Sequence, residues 1–349
     1  MTNKLQQFFP TIRTRQEILN TITQDPVLNS IFTSWPNEQQ DYFLNFCSGA
    51  KGCKILYDSF FKEIFNPEAT PERLEGFLAL LLKQTVKILH ALPNDSTRIA
   101  DENSLLIMDI VVELEDHSIA NVEVQRLGYM FPGQRSACYS ADLLLRQYKR
   151  VRSEKKKNFS YKDIKKVYTI VLFERSPKEY HEVPNSYIHR GHYVFDTGLK
   201  VELLQEYVFI PLDIFRKIKH NNIITDHLDA WLSFLIEDDP DHIIKLIQGW
   251  PEFIPMYEDI YALCRNMRKI MGLFSDELKI LDQNTVQYMM DEMQDEIDAK
   301  RETIAEQDST IASQKDTIAE QKDTIAEQKD TIAEQEALIA ELRKELENK

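Results

Sequence analysis

Residues 104–125 read Ser-Leu-Leu-Ile-Met-Asp-Ile-Val-Val-Glu-Leu-Glu-Asp-His-Ser-Ile-Ala-Asn-Val-Glu-Val-Gln. Two β-rich runs flank a polar turn at Glu115, Asp116 and His117, which predicts a hairpin. If those three residues form the loop, Leu114 pairs with Ser118 and the register carries Asp109 opposite Glu123. Side chains alternate along a strand, so Glu123 and Gln125 share a face while Val122 and Val124 enter the opposite layer. Two carboxylates inside a mostly apolar hairpin are costly unless a cation lies between them, and oxygen ligands of this type suit Mg²⁺ or Mn²⁺. The spacing fits a plainer arrangement equally well, with Asp109 bonded to nearby backbone and Glu123 in solvent.

Working outward, residues 51–220 mix a helix after Pro71 with further apolar runs at Val167–Phe173 and Tyr207–Leu212, the pattern of an α/β core. Residues 1–50 read as short helices broken by Pro10, Pro26 and Pro36, a helical cap. Residues 221–290 return to helical spacing, as in Leu228, Trp231, Leu232 and Leu235, and predict a helical subdomain. In the last stretch, 291–349, Thr-Ile-Ala-Glu-Gln-Lys-Asp recurs almost unchanged, setting isoleucines seven apart from Ile304 to Ile339. With isoleucine at position a, position d is Gln307, Gln314, Gln321, Gln328 and Gln335, so half the seam is polar. A C-terminal coiled coil that self-associates is the expectation, with a single solvated helix as its rival.

The net charge of −15 argues against a polyanion as partner until its distribution is read. From Asp291 to Lys349 there are 18 acidic and 8 basic side chains, so the tail carries −10 of the total. Four scattered cysteines, Cys47, Cys53, Cys138 and Cys264, suggest neither a disulfide framework nor a zinc site, and reduced thiols suit a cytoplasmic setting. The longest apolar run is only Phe77–Leu82, so no membrane span is expected.

Asp109 followed by Glu123-Val124-Gln125 resembles the Asp…(Asp/Glu)-x-Lys hairpin of the PD-(D/E)XK nucleases, in a Glu-x-Gln form, and more specifically the Rpn recombination-promoting nucleases and putative transposases. The resemblance spans about residues 51–290. It includes Tyr57-Asp58-Ser59-Phe60-Phe61-Lys62-Glu63-Ile64-Phe65, the helix Glu72–Leu82, Arg135 to Tyr139 with Leu143 to Tyr148, and Trp231-Leu232-Ser233-Phe234-Leu235. It implies a restriction-endonuclease-like three-layer core, a central mixed sheet flanked by helices, in which Asp109, Glu123 and the carbonyl of Val124 bind a catalytic Mg²⁺, with Mn²⁺ able to substitute. It further implies a transposase-type endonuclease acting on double-stranded DNA. Gln125 departs from the lysine of most of the superfamily: it can accept from water and donate to phosphate, but it carries no charge. That departure motivates the alternative of a weak or inactive nuclease-fold DNA-binding scaffold.

The resemblance also points to a glutamate on the first core helix, Glu75, with Glu72 as competitor; either equally fits a solvated helix face. Asp58 and Lys62 read as an i,i+4 ion pair or as the border of the cleft with Lys62 on phosphate. Arg135 and Tyr139 share a helix face, toward substrate or toward the sheet. Arg146, Lys149, Arg150, Arg152, Lys155, Lys156 and Lys157, followed by Lys162, Lys165 and Lys166, make a basic run, a phosphate-contacting patch or a solvated loop. His189 and His192 lack a third metal ligand and are taken as structural.

Overall fold

A six-stranded mixed sheet organises the computed structural model, which describes residues 3–93, 108–126, 132–219 and 224–347. In chain order the elements are α1 (Lys4–Phe8), α2 (Arg15–Gln24), α3 (Pro26–Ser34), α4 (Asn37–Cys47), α5 (Asp58–Ile64), α6 (Pro71–Leu82), β1 (Ile88–Ala91), β2 (Ile110–Leu114), β3 (Ile119–Gln125), α7 (Pro132–Lys155), β4 (Val167–Phe173), β5 (His189–Gly191), β6 (Gln205–Pro211), α8 (Leu212–Lys219), α9 (His227–Ile236), α10 (Pro240–Gly249), α11 (Ile254–Arg265) and α12 (Met267–Glu347). The strand order is β1-β2-β3-β4-β6-β5. The pairs β1/β2, β2/β3 and β5/β6 are antiparallel, whereas β3/β4 and β4/β6 are parallel. The parallel step from β3 to β4 is made through α7, the crossover such a step requires.

The hairpin has the register that its loop length predicts. Ile110 pairs with Val122 and Glu113 with Ile119, while the Leu114 amide donates to the Ser118 carbonyl at 2.9 Å. His117 closes the loop in the left-handed region, at φ 66°, and its amide donates to Leu114 O. Residues 104–107, whose sequence reads as the start of the first strand, lie outside the described residues.

Strand alternation makes three layers. Ile110, Val112, Ala120, Val122, Ile170 and Leu172 face a large core closed by α5, α6 and α9. On the other face Val111, Ile119 and Val167 pack beneath Tyr139 and Leu143 of α7. In α6 the apolar stripe Leu74, Phe77, Leu78 and Leu81 is buried, and Pro71 starts the helix where a missing N–H costs nothing. Two edge strands escape sequence reading. β1 is half-exposed along its length and β5 mostly exposed, so neither shows the inward–outward alternation that betrays a strand.

The chain forms two compact units, Met1–Tyr288 and Met289–Lys349. Within the first, the amino-terminal helices, the sheet and the helices after residue 221 share one hydrophobic core. Local capping defines the small helices: Thr14 and Glu17 make a reciprocal capping box for α2, and Asp25 caps α3 ahead of Pro26. The first turns of α12 belong to the same core through Phe274, whose ring meets Trp35, Tyr42, Phe43, Phe46 and Tyr57. The remainder of α12 forms the second unit.

Phe274 is fully buried. Phe274→Ala is therefore expected to cost the core about 3–5 kcal/mol, read as a lower urea midpoint with an unchanged m-value. A loss under about 1 kcal/mol would show that this ring cluster is not a structural anchor.

Candidate active site

The open end of the hairpin, opposite its turn, brings the acids together. Continuing the register from Ile110 and Val122 sets Asp109 across from Glu123. Asp109 has just left the strand, and its Oδ2 accepts from the Val124 amide at 2.7 Å while its own amide donates to Glu123 Oε1 at 3.3 Å. The N–H and C=O of an extended residue point to the same edge. The Val124 carbonyl thus lies on the edge of β3 that faces Asp109.

Helix α5 supplies the next groups. Lys62 Nζ lies 2.9 Å from Asp58 Oδ1 and 3.2 Å from Asp109 Oδ1, so the i,i+4 pair and the cleft border are one arrangement. Burial and the charges of Glu123 and Asp58 push the Asp109 carboxyl well above its ordinary range, with Lys62 only partly compensating. Burial likewise lifts Glu123 to about 7, against help from the Asn121 amide, the Asp109 backbone and Lys62. Burial also works against the charge on Lys62, but Asp109 and Asp58 outweigh it and hold the ammonium protonated above its usual value.

The first turns of α7 close the other side. Arg135 Nη2 donates to Tyr139 Oη at 3.3 Å. Burial and the nearby Glu123 charge raise the Tyr139 phenol, placing this pair at the acids. Gln125 is buried on the face of Glu123, and its Oε1 has no hydrogen-bond partner among the described residues. A buried amide oxygen without a donor costs about 1–3 kcal/mol, so a hydrogen-bond donor reaching Gln125 Oε1 would be stabilising.

Other expected site residues are held elsewhere. Glu75 accepts from Lys87 Nζ at 2.7 Å and from the Ile88 amide at 2.9 Å, tying α6 to β1 rather than turning to Asp109. The acid that joins the hairpin is instead Asp58, offered by α5. Arg150, expected as a phosphate contact, pairs here with buried Glu113 at 2.8 Å near the hairpin turn. Lys149 and Arg152 are exposed, with Arg152 stacked over Tyr148. Lys149 follows Arg135 by 14 residues, about 21 Å along the helix axis, so the basic run lies away from the end of α7 that borders the acids.

Behind Gln125 a buried arginine fixes the site to distant segments. Arg126 Nε lies 2.9 Å from Glu174 Oε2, its Nη1 lies 2.5 Å from Glu277 Oε1, and its guanidinium sits 4.2 Å from the Tyr57 ring centroid. The Ser59 amide, beside Asp58, also favours the charged form of Glu277. Sequence reading misses this network because Arg126 and Glu277 lie 151 residues apart.

Among the described residues no three carboxylate, imidazole or thiol groups stand ready around one ion. Lys62 lies between Asp58 and Asp109. The donors that do fit are the Asp109 and Glu123 carboxylates with the Val124 carbonyl, all hard oxygens. Mg²⁺ characteristically takes one or two carboxylates and completes its shell with water and phosphate.

A mixed sheet between helices, with paired acids at the open end of its central hairpin, defines a nuclease-type α/β core. The chain belongs to a family of this class: the model of the PD-(D/E)XK nuclease family transposases matches residues 55–291. No curated protein and no solved structure matches the chain. Among the described residues no helix is long and apolar enough to cross a membrane.

The raised Glu123 carboxyl has a measurable consequence. A carboxyl that holds its proton more tightly when folded stabilises the fold less as pH rises from the unfolded value of 4.5 through about 7. In EDTA the protein is expected to lose stability on the order of 3 kcal/mol over that window through this group, and Glu123→Gln to flatten the loss. Mg²⁺ should restore more stability at pH 8 than at pH 5.5. Urea unfolding at both values, with and without Mg²⁺, checks this; an unchanged pH slope in Glu123→Gln would refute it.

Proposed function

We propose that this chain is a metal-dependent DNA endonuclease of the transposase or recombination-promoting type. The observation that carries the reading is the crowding of the partly buried Asp109 and the buried Glu123, two carboxylates with raised proton affinity and one lysine between Asp109 and Asp58. Such a pair is stabilised by a divalent cation, and Asp109, Glu123 and the Val124 carbonyl would hold Mg²⁺ or Mn²⁺. When bound, that ion supplies positive charge at the scissile phosphate and eases deprotonation of water.

The chain's own groups do the rest. Gln125 Oε1, buried without a donor, is placed to accept from the attacking water, and its amide to donate to phosphate. The charge that glutamine lacks is provided by Lys62. An ammonium has three N–H donors. Two are engaged by Asp58 and Asp109, leaving one for a phosphate oxygen. Arg135 and Tyr139 border the same acids and would orient the duplex backbone, while Lys149 and Arg152, farther along α7, are exposed to meet it beyond the cut.

A second reading, a nuclease-fold protein that binds DNA without cutting it, is favoured by Gln125 alone. Supercoiled plasmid with Mg²⁺ or Mn²⁺ separates the two. Wild type is expected to nick it, and Asp109→Ala or Glu123→Ala to abolish nicking. Lys62→Met should lose about 10²–10³-fold in rate, the scale of removing one transition-state charge donor. Gln125→Lys should recover part of that loss in the Lys62→Met background. Cleavage unaltered in Asp109→Ala sinks the site. Binding without cleavage under every divalent ion selects the second reading.

A further inference from the structure

Ile297 and every seventh residue after it, as far as Ile339, lie on α12 with 45–56% of their surface exposed. The stripe continues a single helix that is otherwise polar, and a helix of this kind needs either a cover for its stripe or a lattice of internal ion pairs. From Ile311 to Ile332 the sequence spacing offers no such pair. Asp316 precedes Glu320 by four residues and Asp330 precedes Glu334 likewise, so the i,i+4 contacts are between like charges. Lys315, Lys322 and Lys329 each have only isoleucine and alanine three and four residues away on both sides. Across these repeats no ion pair at helical spacing adds to the intrinsic propensity.

We infer that this face pairs with the same face of a second copy of the chain, in parallel and in heptad register. The glutamines decide the orientation. Gln307, Gln314, Gln321, Gln328 and Gln335 lie three residues beyond successive isoleucines, on the same seam. In a parallel pair isoleucine layers meet isoleucine layers, and each glutamine meets its own copy, where one amide can donate to the other. An antiparallel pair sets each glutamine against an isoleucine and leaves its amide buried without a partner. The flanks agree. Antiparallel strands bring the lysine flank against itself, whereas parallel strands bring it against Thr310, Thr317 and Thr324, uncharged side chains whose hydroxyls donate to the carbonyl four residues earlier.

The heptad period makes the stripe drift around a straight helix, so the two strands would wind left-handedly to keep it covered. The tail carries −10 of the chain's net charge, which disfavours nucleic acid as the occupant. Repetition alone would let two copies slide by seven residues. Leu342 stands where earlier repeats have glutamine, and a slip would set it against Gln335, so the last heptad fixes the alignment. Pairing of this kind is independent of whether the core cuts DNA.

The full chain carrying Cys138→Ser, which removes the exposed native thiol, is the background for the test. Gln314→Cys and Gln328→Cys are introduced separately, and each is oxidised in a glutathione buffer, alone and mixed. Each variant is expected to crosslink to itself, at least 10-fold faster than the two crosslink to each other, and sedimentation of the unmodified chain should give the mass of two copies. The double variant Ile318→Asn, Ile325→Asn should weaken association at least 100-fold, with the thermal transition of the core unmoved. A monomeric mass at every loading concentration, a preference for the mixed crosslink, or association unaffected by the double variant overturns the inference.

Discussion

Two carboxylates held side by side away from water set the terms for the rest of this protein. Unit like charges 4 Å apart repel by about 4 kcal/mol at an effective dielectric of 20, a large share of the 5–15 kcal/mol by which domains are stable. Asp109 and Glu123 are kept there by the hairpin register, by two backbone contacts between their strands and by the single ammonium of Lys62. The broad aromatic core beneath the sheet, continuous from the amino-terminal helices to the start of α12, is the compensation such a site requires.

That compensation is delivered to the site through Arg126. The arginine follows directly on Gln125 and is gripped by Glu174 at the end of β4, by Glu277 on α12 and by the face of Tyr57. The Ser59 amide, next to Asp58, in turn favours the charge on Glu277. The strand that presents Glu123 and the helix that presents Lys62 are thereby fixed to one another through a residue more than two hundred positions away from the latter. Burial raises the Glu277 carboxyl even with Arg126 beside it, so the contact positions groups at some cost in stability.

The parts of this arrangement that are legible in the sequence are those governed by short-range rules. A polar turn between two β-rich runs determines the register, and parity along the strand then separates Glu123 and Gln125 from Val122 and Val124. The stripe of α6 and the heptads of α12 are legible for the same reason. Edge strands β1 and β5 are not, because an exposed strand has no face to hide and leaves no alternation. Spacing also does not say which helix offers the third acid. Glu75 sits on the buried helix where the resemblance places it, yet Lys87 and the Ile88 amide claim its carboxylate, and Asp58 stands at the hairpin instead. The pairing of Arg150 is not legible either, because its partner Glu113 is a hairpin residue that no local pattern connects to α7.

The seven-residue repeats of α12 have a further property. A gain or loss of one repeat leaves the heptad pattern on either side of it intact. Each gain would lengthen the helix by about 10.5 Å while rotating the residues beyond it by only about 20°. The isoleucines would remain on one stripe, and Phe274 and Glu277, which anchor the first turns of the helix, would be untouched. The reach of this arm is thus free to vary from lineage to lineage without any adjustment of the folded core.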